Sequence, residues 1–334
     1  MKKYLFLILV LSVGCSSTDY AVPSHVPVVA KVVNENVFVT YGDGGLIITD
    51  AANDDVIGHI IPTGQMKGID DFSIDDNLLF ALDARGRNHL AVYDITNLNK
   101  PELLDGPISV VGDPFNGISA RGENVVVSGG SRYLEFFRYT SDGELFGSST
   151  FGRDRGHPDV ILSENGRVAF ASTDFSSPVD GSRFGIIALN LGEDLNIPTL
   201  ISQAPLPNAG FTEGVTTPVG FPIQADLYNN HLLVANGGGL TVITLVDQVA
   251  FGQTSNFDLG ISAVSIEADN DIAYIVGYTP DPTLLKVDIT DLTNPTISET
   301  VSLDIGENVP TSVAVSNSFI YITAGEAGLL KLPR

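Results

Sequence analysis

The chain of 334 residues has one cysteine, no tryptophan and few cations. A single Cys permits no intramolecular disulfide bond and no cysteine-based metal site. The 17 Lys and Arg stand against 40 Asp and Glu, which gives a formal net charge of −23. Because nucleic-acid phosphate is bound by net basic surfaces, this balance argues against a nucleic-acid partner. We expect the acidity to keep an exported protein soluble.

The motifs of common catalytic and cofactor sites are also missing. The chain has no G-x-S-x-G elbow, no H-E-x-x-H, no P-loop and no dinucleotide fingerprint. Around Asp43 and Asp281 there is no ladder of calcium ligands. The histidines show no ligand spacing; they are His25, His59, His89, His157 and His231. We therefore expect no metal and no cofactor, and any site has to be assembled from residues distant in sequence.

The N-terminus, MKKYLFLILVLSVGCSS, predicts export. Lys2 and Lys3 precede an apolar run of about ten residues, too short to cross a membrane. The segment resembles a bacterial lipoprotein signal, although Ser12 stands where the lipobox usually has Leu. The resemblance implies that residues 1–14 are removed, that Cys15 is lipidated and that 15–26 form a tether. Cleavage without lipid is the alternative.

Such a lipid anchor implies attachment to a membrane in the bacterial cell envelope, with the body in the periplasm or at the cell surface. Ser16 and Ser17 follow the Cys, so the retention signal with Asp is absent, which favours the outer membrane of a Gram-negative cell. The body itself is not expected to contact lipid.

Internal repeats predict the fold. Stretches such as DDFSIDDNLLFALDARGRNHLAVYDIT and AVSIEADNDIAYIVGYTPDPTLLKVDIT share one order: a strand, a short polar turn, an apolar strand, a loop and a third strand. Most units add a linker and a fourth strand. Alternating patterns with turns every 8–12 residues or so are typical of antiparallel all-β proteins. The units span 27–64, 65–112, 113–156, 157–210, 211–260, 261–308 and 309–334.

A repeat of about 45 residues with four strands is typical of a β-propeller blade. The sequence therefore predicts one all-β domain over 27–334, a seven-bladed β-propeller, with six or eight blades as alternatives. The last unit has three strands. We expect its outer strand to come from DYAVPSHV after Cys15, which would close the ring and remove a sheet edge.

Several stretches resemble a bacterial family, the LVIVD-repeat proteins, which are predicted propellers. They are YGDGGLIITD (41–50), LAVYDITNLNKP (90–101), LLKVDITDLTNP (284–295) and AGEAGLLKL (324–332). The resemblance covers about half the chain and implies fold and export more than an activity. Within these stretches, we expect the DIT tripeptides at 94–96 and 288–290 to end strands through bonds from side chain to backbone.

The cations crowd one sector. No Lys or Arg occurs from 184 to 285. In a propeller, loops between second and third strands and links between blades form the face that generally binds ligands. The units place these candidate binding residues on that face: Lys67, Arg85, Arg87, His89, Arg132, Tyr133, Arg153, Arg155, His157 and Arg183.

Three interpretations of this sector remain open. Arg binds carboxylate or sulfate through paired hydrogen bonds, which favours an anionic ligand such as an acidic glycan or the acidic surface of a protein partner. The same arginines alternatively pair with neighbouring acids as ordinary surface. An enzyme resembling polysaccharide lyases would use His157 as base, Arg153 or Arg155 to neutralise a uronate and Tyr133 as acid. We expect a monomeric, non-catalytic binding or scaffold module.

Overall fold

The computed structural model describes residues 28–84, 88–110, 115–129, 133–152, 159–174, 184–192, 198–206, 224–236, 239–278 and 281–334. These residues form 27 strands arranged in seven antiparallel sheets, each ordered as in the chain. The sheets surround a central channel as a ring, and the chain is a seven-bladed β-propeller. The predicted fold class and blade count are confirmed, and each blade falls inside its predicted unit.

The strands are numbered in chain order. Blades 1 to 3 contain β1 (Ala30–Val33), β2 (Asn36–Thr40), β3 (Leu46–Asp50), β4 (Val56–Ile60), β5 (Asp71–Asp75), β6 (Leu78–Asp83), β7 (His89–Asp94), β8 (Glu102–Ser109), β9 (Phe115–Arg121), β10 (Asn124–Gly129), β11 (Tyr133–Tyr139) and β12 (Leu145–Gly152). Blades 4 to 6 contain β13 (Val160–Leu162), β14 (Val168–Asp174), β15 (Phe184–Asn190), β16 (Thr199–Pro205), β17 (Ala225–Tyr228), β18 (His231–Asn236), β19 (Gly239–Val246), β20 (Ala250–Asp258), β21 (Ser262–Asp269), β22 (Ile272–Tyr278), β23 (Pro282–Asp288) and β24 (Thr296–Ser302). Blade 7 contains β25 (Ser312–Val315), β26 (Phe319–Thr323) and β27 (Leu329–Pro333), with a 3-10 turn at Gly325–Ala327.

The apolar pattern follows the position of each strand in its blade. Middle strands such as β6 are buried along their whole length, because both faces of the sheet pack against neighbouring blades. Outer strands such as β24 are mostly exposed and correspondingly polar. Seven apolar clusters result, one at each junction between adjacent blades. The core is therefore a ring of interfaces rather than one central mass.

The ring closes where blade 7 meets blade 1. The backbone N–H of Ala30 donates to Ser312 Oγ at 2.9 Å, and the Tyr321 hydroxyl donates to the carbonyl of Ala51 at 3.1 Å. Ala314 adds to the apolar contacts of this junction. Blade 7 has three strands in the described part of the chain. The predicted closing strand before residue 27 and the lipidation site Cys15 lie outside the described residues.

The polar turns follow the chemistry that the sequence predicts. Two-residue hairpins between first and second strands need positive φ at both central positions, and Asn tolerates this better than most residues. Both positions are positive in Asn34–Glu35, Asn229–Asn230 and Asn270–Asp271. In the DIT tripeptides, the N–H of Thr96 donates to Asp94 Oδ1 at 2.7 Å and that of Thr290 to Asp288 Oδ1 at 2.9 Å. The predicted bonds at these strand ends are confirmed.

The first strand of every blade lies at the channel as a sheet edge, so half of its backbone N–H groups have no strand partner. Polar side chains of the preceding blade supply the acceptors. Ser73 accepts from Ala120, Ser119 from Leu162, Ser265 from Val313 and Ser312 from Ala30, at 2.9–3.0 Å. We call these contacts junction bonds, since each joins two blades.

The junction bond of Ser265 leads to a stability prediction. Ser265 is 1% exposed and Val313 is 3% exposed, so Ser265→Ala leaves a buried N–H without an acceptor. We expect the free energy of unfolding to fall by about 1–3 kcal/mol, measured by urea denaturation. The control is Ser302→Ala, which removes the same hydroxyl from the exposed outer strand β24. Equal stability of the two variants would contradict a structural role for the junction bond.

Candidate functional site

The predicted ligand face is formed by loops between second and third strands and by links between blades. In blade 1, the N–H of Ile69 in the link donates to the carbonyl of Gly42 in the loop at 2.9 Å. Gly45 in that loop has φ +83, and a Cβ there would lie 2.1 Å from the carbonyl oxygen of Ile60. Only Gly fits so close a backbone contact. The link to blade 2 is thereby held against the loop on the same face.

Three of the predicted binding residues lie within the described part of the chain. Lys67 is exposed in the link between β4 and β5. Tyr133, the first residue of β11, is 38% exposed. His89, the first residue of β7, is 4% exposed, and its Nε2 lies 2.9 Å from Gln65 Oε1. Lys67 and Tyr133 are therefore accessible to a ligand, whereas His89 contacts Gln65 beneath the surface.

The other predicted binding residues lie outside the described ranges. They are Arg85, Arg87, Arg132, Arg153, Arg155, His157 and Arg183. Their flanking strands are described, and each of the loops 85–87 and 130–132 connects a second to a third strand. Residues 153–158 connect blade 3 to blade 4.

Two buried carboxylates support this face from below. Asp83 Oδ2 accepts from the backbone N–H of Lys67 at 2.7 Å, and Asp70 Oδ2 accepts from Ala84 at 2.8 Å. Asp83 is 0% exposed and Asp70 is 8% exposed. Asp83 therefore fixes the backbone of the link at Lys67, and Asp70 fixes the backbone at Ala84, directly after β6.

A second polar cluster lies in the central channel, where the sequence analysis expected no site. The ammonium group of Lys31 in β1 donates a hydrogen bond to the carbonyl of Phe72, and its Nζ lies 3.6 Å from Asp71 Oδ1. The ammonium also lies 5.0 Å from the centre of the Phe72 ring. The carboxylates within the electrostatic reach of Lys31 come from several blades.

Burial raises the pKa of each channel carboxyl. Burial, and then the charge of Asp71, raise the pKa of Asp159 to about 7, while Lys31 opposes the rise. Burial raises the pKa of Asp226 to about 6. Burial and the charge of Asp226 raise the pKa of Glu267 to about 8. For Asp71, burial raises the pKa and the ammonium of Lys31 partly offsets it. Asp159, Asp226 and Glu267 therefore titrate near neutral pH rather than near pH 4.

Sequence reasoning missed this cluster because its members belong to different blades and share no spacing. One sign was present, since Lys31, Asp71, Asp226 and Glu267 are charged residues within first strands. First strands line the channel, so a charge there points to channel chemistry. Asp159 directly precedes β13 rather than lying within it, so the sequence indicates a channel position less clearly for this residue.

No group of three or more His, Cys, Asp or Glu side chains has an arrangement that would hold a metal ion within the described ranges. None of the helical segments in those ranges has the length and hydropathy that crossing a bilayer requires.

Comparisons with known proteins identify a fold and no family. No protein-family model matches the chain, and no curated protein sequence matches it. Solved structures with a similar fold amount to 1396 chains, so this likeness is too widespread to indicate an activity. One is a chain in the crystal structure of the mitotic checkpoint complex, with a TM-score of 0.66 and 11% identity. The match covers 94% of this chain and 92% of that one.

The position of Lys31 among the channel carboxylates leads to a second stability prediction. Lys31→Met removes the ammonium that offsets their charge, so we expect a loss of about 1–2 kcal/mol at pH 7. This is below the cost of breaking a fully buried pair, because 38% of the Lys31 side chain is exposed. Thermal unfolding measures the change. In the control, Lys100→Met, an exposed surface pair with Glu102 is removed; a loss as large as that from Lys31→Met would contradict the prediction.

Proposed function

We propose that the chain is an exported β-propeller of the LVIVD-repeat type, anchored by a lipid on Cys15, that acts as a monomeric, non-catalytic binding module. Its ligand is anionic, with an acidic glycan as the first candidate. The binding surface is the face that carries Lys67 and Tyr133. The signal-like N-terminus supports export, and the lone Cys that follows it supports the anchor.

The accessible pair of Lys67 and Tyr133 carries this proposal. Lys67 is exposed and forms no ion pair within the described residues, and Tyr133 offers an exposed ring on the same face. An ammonium binds a carboxylate or sulfate, and an aromatic ring packs against the flat face of a sugar. Five other described cations are engaged in ion pairs: Lys31 with Asp71, Lys100 with Glu102, Lys286 with Glu299, Lys331 with Asp54 and Arg334 with Asp269. Arg121 and Arg167 are exposed, but they lie at turns between first and second strands, on the opposite face.

The support beneath this face favours binding over mere surface. Asp83 and Asp70 are buried, and each accepts a hydrogen bond from a backbone N–H of this face, Asp83 from Lys67 and Asp70 from Ala84. These bonds fix the backbone at Lys67 and Ala84 against the sheet below. A fixed arrangement of this kind reduces the ordering cost of binding a ligand.

The proposal predicts salt-sensitive binding of the purified protein to acidic polysaccharides such as polyuronates and sulfated glycans. We expect Lys67→Ala to weaken binding by about three- to tenfold, and Arg153→Ala/Arg155→Ala/His157→Ala to abolish it. Titration in about 50 and 300 mM salt should show weaker binding at high salt, since surface charges are screened. The control is Lys100→Ala, which makes the same change in net charge on the opposite side of blade 2.

Each alternative has its own readout in this experiment. Binding that Lys100→Ala weakens as much as Lys67→Ala would contradict the assigned face. No binding to any glycan would overturn the glycan proposal and leave an acidic protein surface as the ligand. Appearance of an ultraviolet-absorbing unsaturated uronate during incubation would replace the binding module with a lyase that uses His157.

A further inference from the structure

One ammonium and four carboxylates from five blades share the central channel. Lys31 belongs to blade 1, and the carboxylates are Asp71, Asp159, Asp226 and Glu267 of blades 2, 4, 5 and 6. The Lys31 charge acts on Asp71, Asp159 and Glu267, which places all of them within its electrostatic reach. When every group is ionised, three negative charges of this cluster have no balancing cation among its members.

Two of these carboxylates also form junction bonds. Asp71 Oδ2 accepts from the N–H of Ile118 in blade 3 at 3.1 Å. Asp226 Oδ2 accepts from the N–H of Ala268 in blade 6 at 2.7 Å. Asp71 and Asp226 thus combine a charge in the channel with a bond that joins two neighbouring blades.

Glu267 differs from the other three. Its carboxylate makes no hydrogen bond within the described part of the chain, and its neighbours Asp226 and Asp269 are both acidic. Asp269 is paired with Arg334, whereas Glu267 is left to the more distant Lys31. The ionised form of Glu267 is therefore opposed by burial and by repulsion, with one cation in its favour.

The remaining wall of the channel adds no compensating charge in the described residues. Strand β25 has the sequence SVAV and contains no charged residue. Strand β9 ends at Arg121, which is exposed. The contacts of β9 with the channel residues Asp71 and Ser73 are made by its backbone N–H groups, which donate to them. The charge balance of the channel therefore depends on Lys31 and on protons.

We propose that the channel is a proton-sensitive clamp on the propeller: proton uptake by its carboxylates holds blades 4, 5 and 6 together at mildly acidic pH, and their ionisation loosens these junctions at alkaline pH. A protonated carboxyl keeps an oxygen that accepts the backbone N–H, so junction bonds survive protonation while the mutual repulsion is removed. This inference does not depend on the proposed ligand.

The direction of the pH effect follows from proton linkage. In the folded chain the pKa of Glu267 is about 8, that of Asp159 about 7 and that of Asp226 about 6, all above the ordinary values that apply after unfolding. Between those ordinary values and pH 8 the folded chain binds more protons than the unfolded chain. Stability is therefore highest below this window and falls as pH rises through it.

Thermal unfolding of the purified protein at pH 5, 6, 7, 8 and 9 tests the clamp. The key variant is Glu267→Gln, a neutral side chain that mimics the protonated form. We expect its midpoint to lie within about 1 °C of the wild type at pH 5 and at least about 2 °C above it at pH 9. Asp159→Asn should show the same trend and serves as a second channel variant.

The matched control is Glu307→Gln, because Glu307 is exposed and lies outside the channel. The unfolding midpoint of Glu307→Gln, plotted against pH, should run parallel to that of the wild type. The clamp is overturned if both channel variants also run parallel to the wild type, or if wild-type stability rises from pH 6 to pH 8. A gain that grows with pH in both channel variants and not in Glu307→Gln supports it.

Discussion

The hydrogen bond from the edge of one blade to a side chain of the blade before it is the contact on which the ring depends. Apolar packing joins the blades but leaves unpaired backbone N–H groups along seven first strands, and burying such groups without acceptors is costly. Ser73, Ser119, Ser265 and Ser312 supply neutral acceptors. Asp71 adds a carboxylate acceptor at the junction of blades 2 and 3, beside Ser73, and Asp226 supplies one between blades 5 and 6, which places negative charge in the channel.

The carboxylate acceptors make titratable groups part of the architecture. A serine at a junction is indifferent to pH, whereas Asp226 brings a titratable carboxyl to the junction, and burial raises its pKa to about 6. Lys31 offsets part of the charge, and protons offset the rest. The outer face is a separate region: there Asp83 and Asp70 fix the backbone at Lys67 and Ala84, so the surface proposed for ligand binding and the channel proposed as a clamp use different residues.

The blades and turns, which repeat along the chain, could be predicted from the sequence. The channel cluster, which is assembled from several blades, could not. Blade number, strand order and the turns at Asp94 and Asp288 follow from local patterns that recur along the chain, and the structure confirms them. The channel cluster has no such pattern, because Lys31 and Glu267 meet only after the ring closes. His89 is a case between the two: its place at the start of β7 was readable, whereas its burial against Gln65 depends on the neighbouring link. Local spacing encodes blades, and ring closure creates the channel.

The central claim is that channel carboxylates exchange protons near neutral pH. Its most direct test is a titration of the Glu267 side-chain carboxyl carbon by ¹³C NMR, with the resonance assigned by its disappearance in Glu267→Gln. A midpoint near pH 8 is the result that the account predicts. A midpoint near 4.5, the value of an ordinary glutamate, would contradict it and reduce the channel to a passive part of the scaffold.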